Sequence, residues 1–314
     1  MSVARIAKKN NATVIDRRYK EYVFKGTFTA LVTPFRNGEV DSAALEKLIE
    51  AQIAAGVTGV VAVGTTGESP TLSHAEREKV IETTVRVAKK RCTVFAGTGS
   101  YSTRDAVDAI RAAQKLGVDG ALVVAPYYNK PSQEGLFRHF QTIAEASSLP
   151  IMLYNIPGRC GVDIGADTVV RLAGACKNIV SIKEASGSVE RVSELRAKLP
   201  NEFTIMSGDD GLTLPFMAVG AVGVVSVASN LIPAEVCALV RHVESGNLKA
   251  AEQLHRRLFP IFKDLFIEPN PVPVKTALGW RGVMSGEVRL PLCEMTEANQ
   301  ARLRKTLDAF ERSK

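Results

Sequence analysis

Between Gly26 and Val227 the chain alternates, eight times over, a short β-rich run with a longer helical or turn-rich stretch. The strand candidates are T-F-T-A-L-V-T, V-T-G-V-V-A-V, C-T-V-F-A-G, D-G-A-L-V-V-A, P-I-M-L-Y, N-I-V-S-I-K, F-T-I-M-S and A-V-G-V-V-S-V. Near-continuous apolar runs of this length suit strands covered on both faces, the condition of a parallel sheet. Between them Leu45, Leu48, Ile49 and Ile53 fall on one helical face, and Ser73 with Glu76 has the spacing of a capping box. Eight such units in succession predict an α/β fold, a closed (β/α)8 TIM barrel. The alternative, a doubly wound open sheet, lacks its glycine fingerprint G-x-G-x-x-G. After Ile232 the strands cease, and segments 233–244, 248–266, 274–280 and 297–312 read as a C-terminal helical appendage. The expected division is a basic extension (1–25), the barrel (26–232) and a helical region (233–314), with no linker or low-complexity segment between them.

Composition narrows the function classes. A chain of 314 residues, 46% apolar and 23% charged, can bury a full core. Its net charge of +7 raises the question of a polyanion partner. However, residues 1–25 carry seven basic side chains against Asp16 and Glu21, which leaves only +2 for the rest. No nucleic-acid partner is expected, and the basic arm reads as a solvated, partly disordered segment. That arm has no apolar core resembling a signal peptide, and its acidic residues fit a transit peptide poorly. The longest apolar run, around residues 218–228, is broken by glycines, so no membrane span is expected. Cys92, Cys160, Cys176, Cys237 and Cys293 are scattered, and the four histidines lack any H-E-x-x-H spacing. These features predict reduced thiols in a cytoplasmic protein without a metal or other cofactor.

Unusual residues gather where strands end. G-T-T-G-E-S follows the second strand, P-Y-Y-N-K-P-S-Q-E-G the fourth, Y-N-I-P-G-R-C-G the fifth, K-E-A-S-G the sixth and S-G-D-D the seventh. In a barrel these ends open on one face, where such folds place their sites. Lys183 closes the run N-I-V-S-I-K and shares a face with Ile179 and Ser181. A lysine at the end of a buried strand either emerges into solvent or has its amine brought towards neutrality, the state a Schiff-base nucleophile needs. Gly64 and Gly67 let the backbone bend around a small anion, with the Thr65 and Thr66 hydroxyls as donors. Tyr154 ends the fifth strand as a potential proton carrier, and Arg159 lies in a Pro/Gly loop suited to a bidentate carboxylate grip. Asp209 and Asp210 read as helix-capping acids rather than metal ligands, and they would repel a phosphorylated substrate. Lys275, beyond the strands at a helix start, is the rival nucleophile.

With these motifs in view, residues 26 to about 292 resemble the pyruvate-dependent class I aldolases. Together with G-V-V-S-V and E-P-N-P-V-P-V-K, the motifs match the dihydrodipicolinate synthase branch. The resemblance implies that Lys183 forms an imine with pyruvate, Tyr154 shuttles protons, and Thr65 with Tyr128 completes a relay. In that family the tyrosine at Tyr128 reaches in from a neighbouring subunit, which implies a homotetramer built from two tight dimers. Thr66, Gly208 and the backbone at Val225 would hold pyruvate, and Arg159 would receive the carboxylate of L-aspartate 4-semialdehyde. An inhibitory lysine pocket would involve Ser69, His74, Arg77, Tyr101, Asp105 and Tyr127. Arg77 and Tyr101 depart from the sensitive pattern, a histidine and an asparagine respectively, so weak or absent inhibition is expected. N-acetylneuraminate lyase and keto-deoxy sugar acid aldolases share the lysine and the tyrosine, but sugar-acid members generally lack Arg159. A silent keto-acid sensor is a further alternative, disfavoured by the intact reactive set.

Overall fold

The computed structural model describes residues 24–312. Eight parallel strands close into a barrel: β1 (Gly26–Ala30), β2 (Gly59–Ala62), β3 (Thr93–Gly97), β4 (Gly120–Val124), β5 (Ile151–Asn155), β6 (Ile179–Glu184), β7 (Thr204–Ser207) and β8 (Gly223–Ser226). Each strand neighbours the next in sequence, and β8 pairs with β1 to complete the ring. The TIM-barrel reading of the sequence is thus borne out.

The outer layer comprises α1 (Ser42–Ala54), α2 (His74–Ala88), α3 (Thr103–Lys115), α4 (Gln133–Glu145), α5 (Ala166–Ala175), α6 (Val189–Lys198), α7 (Thr213–Ala218) and α8 (Pro233–Glu244). The capping box at α2 forms as the sequence predicts, with Ser73 and Glu76 satisfying each other's backbone N–H groups. Helix α8 packs against β1 and β8 as the eighth member of this ring. Beyond it lie α9 (Leu248–Asp264), α10 (Val272–Trp280) and α11 (Glu297–Arg312). Helix α10 begins two residues earlier than the sequence reading had it. Pro273 fits in a first turn, where its missing N–H leaves nothing unsatisfied. A two-stranded hairpin, Phe35–Arg36 with Glu39–Val40, was not foreseen. The expected basic arm lies almost wholly outside the described residues.

Side-chain alternation fixes what fills the barrel. Thr29 of β1 points outward to donate to Gln52 of α1 at 2.7 Å, so Phe28 beside it points inward. Phe24, Phe28 and Phe95 meet edge to face inside the barrel, Phe95 lying 4.7 Å from Phe24 and 5.6 Å from Phe28 between ring centroids. Room for two of these rings comes from glycines opposite them in register, Gly59 beside Phe28 and Gly120 beside Phe95. A Cβ at Gly59 would stand 2.4 Å from the Phe28 ring and one at Gly120 2.7 Å from the Phe95 ring. Aromatic side chains thus seal the end at which β1 and β3 begin, and polar side chains gather at the other.

Candidate active site

Strand β6 carries Lys183 to the barrel mouth. Its register against β5 passes from Ile151–Ile179 to Met152–Ser181, so Val180 is a bulged residue and simple alternation resumes only at Ser181. The register then sets Tyr154 beside Lys183, with the lysine Nζ 4.1 Å from the centroid of the tyrosine ring. Lys183 is only 4% exposed. Burial strips water from the ammonium and lowers its pKa from 10.5 to about 8; the Asp210 carboxylate opposes this fall and the Arg159 guanidinium assists it. The same burial pushes the Tyr154 phenol above its ordinary range, against the pull of Arg159 and a hydrogen bond with Thr65. The amine is therefore easily freed of its proton, while the phenol keeps its own. Gly208 leaves space for this lysine: a Cβ there would meet Lys183 Cε at 3.0 Å and Ala185 Cβ at 2.7 Å.

The G-T-T-G turn after β2 supplies Thr65 and Thr66. Thr66 is buried, and its Oγ1 accepts a 3.0 Å hydrogen bond from Asn270 Nδ2. The Asn270 carbonyl in turn accepts from Arg159 Nη2 at 3.3 Å. Arg159 stands in a single helical turn, Pro157–Cys160, following β5. Val225 lies on β8, just before Ser226. The Asp210 carboxylate braces the end of that strand, accepting from Ser226 Oγ and from the N–H groups of Val227 and Ala228 at 3.0 and 2.9 Å. Lys183, Tyr154, Thr65, Thr66, Arg159, Gly208 and Val225 thus all belong to strands β5, β6 and β8 or to the turns that follow β2, β5 and β7.

One sequence reading needs revision, that of Asp210, and the rival to Lys183 is resolved. Asp209 caps the short turn Asp210–Leu212, as expected, by accepting from Gly211 N–H at 2.8 Å. Asp210, by contrast, is buried and held by β8 and the turn after it rather than by its own helix. Lys275 is also fully buried, but its Nζ is committed to Glu68 Oε1 at 2.6 Å and to the Thr33 carbonyl at 2.9 Å. Lys183, not Lys275, has the unclaimed amine at the mouth. Asn270 was the residue not anticipated. Its motif E-P-N-P was visible, but a linear reading gives no sign that this segment folds back onto Thr66.

Tyr128 is 91% exposed, so its ring does not enter the mouth of its own chain. Ser69, His74, Arg77, Tyr101, Asp105 and Tyr127 all line one cavity of about 530 Å³ that also reaches Thr65 and Arg159. There Arg77 donates to the carbonyls of Ser69 (2.6 Å) and Leu72 (3.3 Å), and Tyr101 packs edge to face on Tyr127. Among the described residues no helix is long and apolar enough to cross a membrane.

Known proteins resemble this chain over most of its length. The model of the dihydrodipicolinate synthetase family matches residues 23–310. The 4-hydroxy-tetrahydrodipicolinate synthase of Endomicrobium trichonymphae is 51% identical over 288 residues, 92% of this chain and 99% of that protein. The synthase of Aquifex aeolicus is 49% identical over 92% of this chain and 98% of its own length. The solved structure of the enzyme from Methylacidiphilum fumariolicum SolV superimposes with a TM-score of 0.92 at 57% identity, covering 92% of this chain and 97% of that one. The chain belongs to the dihydrodipicolinate synthetase family.

Proposed function

We infer that the chain is a 4-hydroxy-tetrahydrodipicolinate synthase, a Schiff-base lyase of the class I aldolase type that condenses pyruvate with L-aspartate 4-semialdehyde in diaminopimelate and lysine biosynthesis. The observation that carries the chemistry is the Lys183 amine, buried, poised near pKa 8 and lying over the Tyr154 ring. Neutral Lys183 attacks C2 of pyruvate. Tyr154 donates its phenolic proton to the departing hydroxyl, and water leaves as the imine forms. The imine draws electrons from the methyl group, whose proton passes to the Tyr154 phenolate, giving an enamine. The enamine carbon attacks the aldehyde, and the aldehyde oxygen takes the proton now held by Tyr154. The substrate amine then adds to C2, and its proton passes to Nζ as the bond from C2 to Nζ breaks, returning Lys183 for the next cycle.

Each remaining residue supports one part of this sequence. Thr66, Gly208 and the Val225 backbone receive pyruvate, and Arg159, oriented by the Asn270 carbonyl, receives the aldehyde's carboxylate. A phenol kept protonated by burial needs a route for its proton, and Thr65 offers one. The exposed Tyr128 supports a relay completed by the partner subunit's Tyr128, hence a tight dimer and a homotetramer of two such dimers. All five cysteines are free, which supports a cytoplasmic setting. A coupled assay with pyruvate and L-aspartate 4-semialdehyde tests the activity. Borohydride with pyruvate should leave one reduced adduct, on Lys183; a label on Lys275 would overturn the assignment.

A further inference from the structure

The G-T-T-G-E-S turn is backbone-strained at both ends. Val63 and Glu68 both adopt positive φ, 49° and 54°, a region that a β-branched residue such as valine almost never enters. Strained residues persist only when their surroundings over-determine them. On the Val63 side the restraint is close packing: a Cβ at Gly97 would stand 2.4 Å from the Val63 carbonyl oxygen, so only glycine lets the two strands approach. On the Glu68 side the restraint is charge. Glu68 Oε1 accepts from Lys275 at 2.6 Å, and Oε2 accepts from the Arg289 backbone N–H at 3.1 Å. Lys275 has all three ammonium protons engaged, by Glu68, by the Thr33 carbonyl at 2.9 Å and by the face of Phe35 at 4.1 Å. Thr33 also reaches the turn directly, donating from Oγ1 to the Gly67 carbonyl at 2.7 Å. Glu68 N–H itself donates to the Thr65 carbonyl at 3.1 Å, so the pinned residue is bonded to the one that faces Tyr154.

We propose that the buried Lys275–Glu68 ion pair is the positioning device of this active site: it locks the left-handed Glu68 turn and thereby sets where Thr65 and Thr66 stand. Neither residue is among those assigned to substrate above. The pair joins α10, far along the sequence, to the turn after β2, and Asn270 on the approach to α10 grips Thr66 in the same way. Stability alone is a weak explanation for the pair. Buried ion pairs replaced by apolar side chains of similar volume are often neutral or more stable, because the desolvation of two charges disappears. What an apolar pair cannot supply is a directed grip on one backbone conformation.

The inference rests on the imine chemistry assigned above, so the test separates the two. Wild-type enzyme is incubated with pyruvate in D2O, with borohydride trapping as a first readout and deuterium entry into the pyruvate methyl group as a second. Failure of the wild type to trap at Lys183 would refute the chemistry and leave the ion pair out of the question. Given trapping, the double variant Glu68→Leu/Lys275→Met is expected to fold and still form the imine. Its methyl exchange should be at least tenfold slower, because exchange needs the proton route through Thr65. Wild-type exchange in a folded double variant would overturn the proposal. If that variant does not fold, Glu68→Gln gives the reading, since it keeps the shape but removes the counter-charge. The same tenfold loss of exchange is expected there, with the pH midpoint of imine formation unmoved. Exchange at the wild-type rate, or a loss explained wholly by a shifted midpoint, would again overturn it.

Discussion

Replacing Lys183 by methionine should abolish catalysis yet stabilise the protein near neutral pH. The folded pKa of Lys183 is about 8 against an ordinary 10.5, so keeping the amine charged in its buried place costs about 3 kcal/mol relative to the unfolded chain. Methionine keeps an unbranched apolar stem in the same space but forfeits the cation's attraction to the Tyr154 ring, about 1–2 kcal/mol. The net gain is roughly 2 kcal/mol, a rise in melting temperature of about 4 °C at about 2 °C per kcal/mol for a chain of this size. Its pH dependence follows from the direction of the shift. Between about 8 and 10.5 the unfolded lysine still binds a proton that the folded one has released, so wild-type stability climbs through that window. The advantage of Lys183→Met should be full below the window, shrink across it and vanish above. Thermal unfolding of both proteins at about pH 7 and about pH 10 measures it. An advantage of equal size at both values, or none near neutrality, would show that the amine is not desolvated as its surroundings require.

Arg159→Ala should slow use of L-aspartate 4-semialdehyde by roughly ten- to a hundredfold, the value of one charge-assisted contact, while pyruvate trapping at Lys183 persists; unchanged kinetics for both substrates would place Arg159 outside the site. Mixing Tyr128→Phe with Lys183→Ala, each inactive alone, should restore activity through hybrid dimers, and no recovery after verified subunit exchange counts against a shared site. L-lysine should inhibit weakly or not at all, because Arg77 adds a fixed cation to the cavity and Tyr101 fills it; a dose–response with half-inhibition below a millimolar would refute this.

The fold was legible because a buried parallel barrel writes itself locally: each strand is a short apolar run, each helix an amphipathic stripe, and turn residues fall between. Lys183 was legible for the same reason, since a cation ending so apolar a strand has few uses. The Val180 bulge was not, because only the pairing with β5 reveals the extra residue. Asn270, and the commitment of Lys275 to Glu68, were equally hidden. Each depends on contacts between residues some two hundred positions apart, and no periodicity or spacing records such a meeting. Asp210 was misjudged because one of two adjacent acids caps as expected, whereas which of them turns inward is decided by β8.

The interlocked rings of Phe24, Phe28 and Phe95 pack the barrel interior on the side away from Lys183, which leaves the mouth as the side from which that lysine is approached. In the proposed reaction both substrates and the released water would use this one side, near Thr66 and Arg159. Traffic must then take turns. In the proposed order pyruvate arrives first, and the water lost in forming the imine departs against the direction in which the aldehyde will come. Only a covalently held first substrate stays put while the doorway empties and fills again. A packed floor would therefore give the proposed imine a second use beyond electron withdrawal: it is the tether that lets two reactants share one approach in sequence.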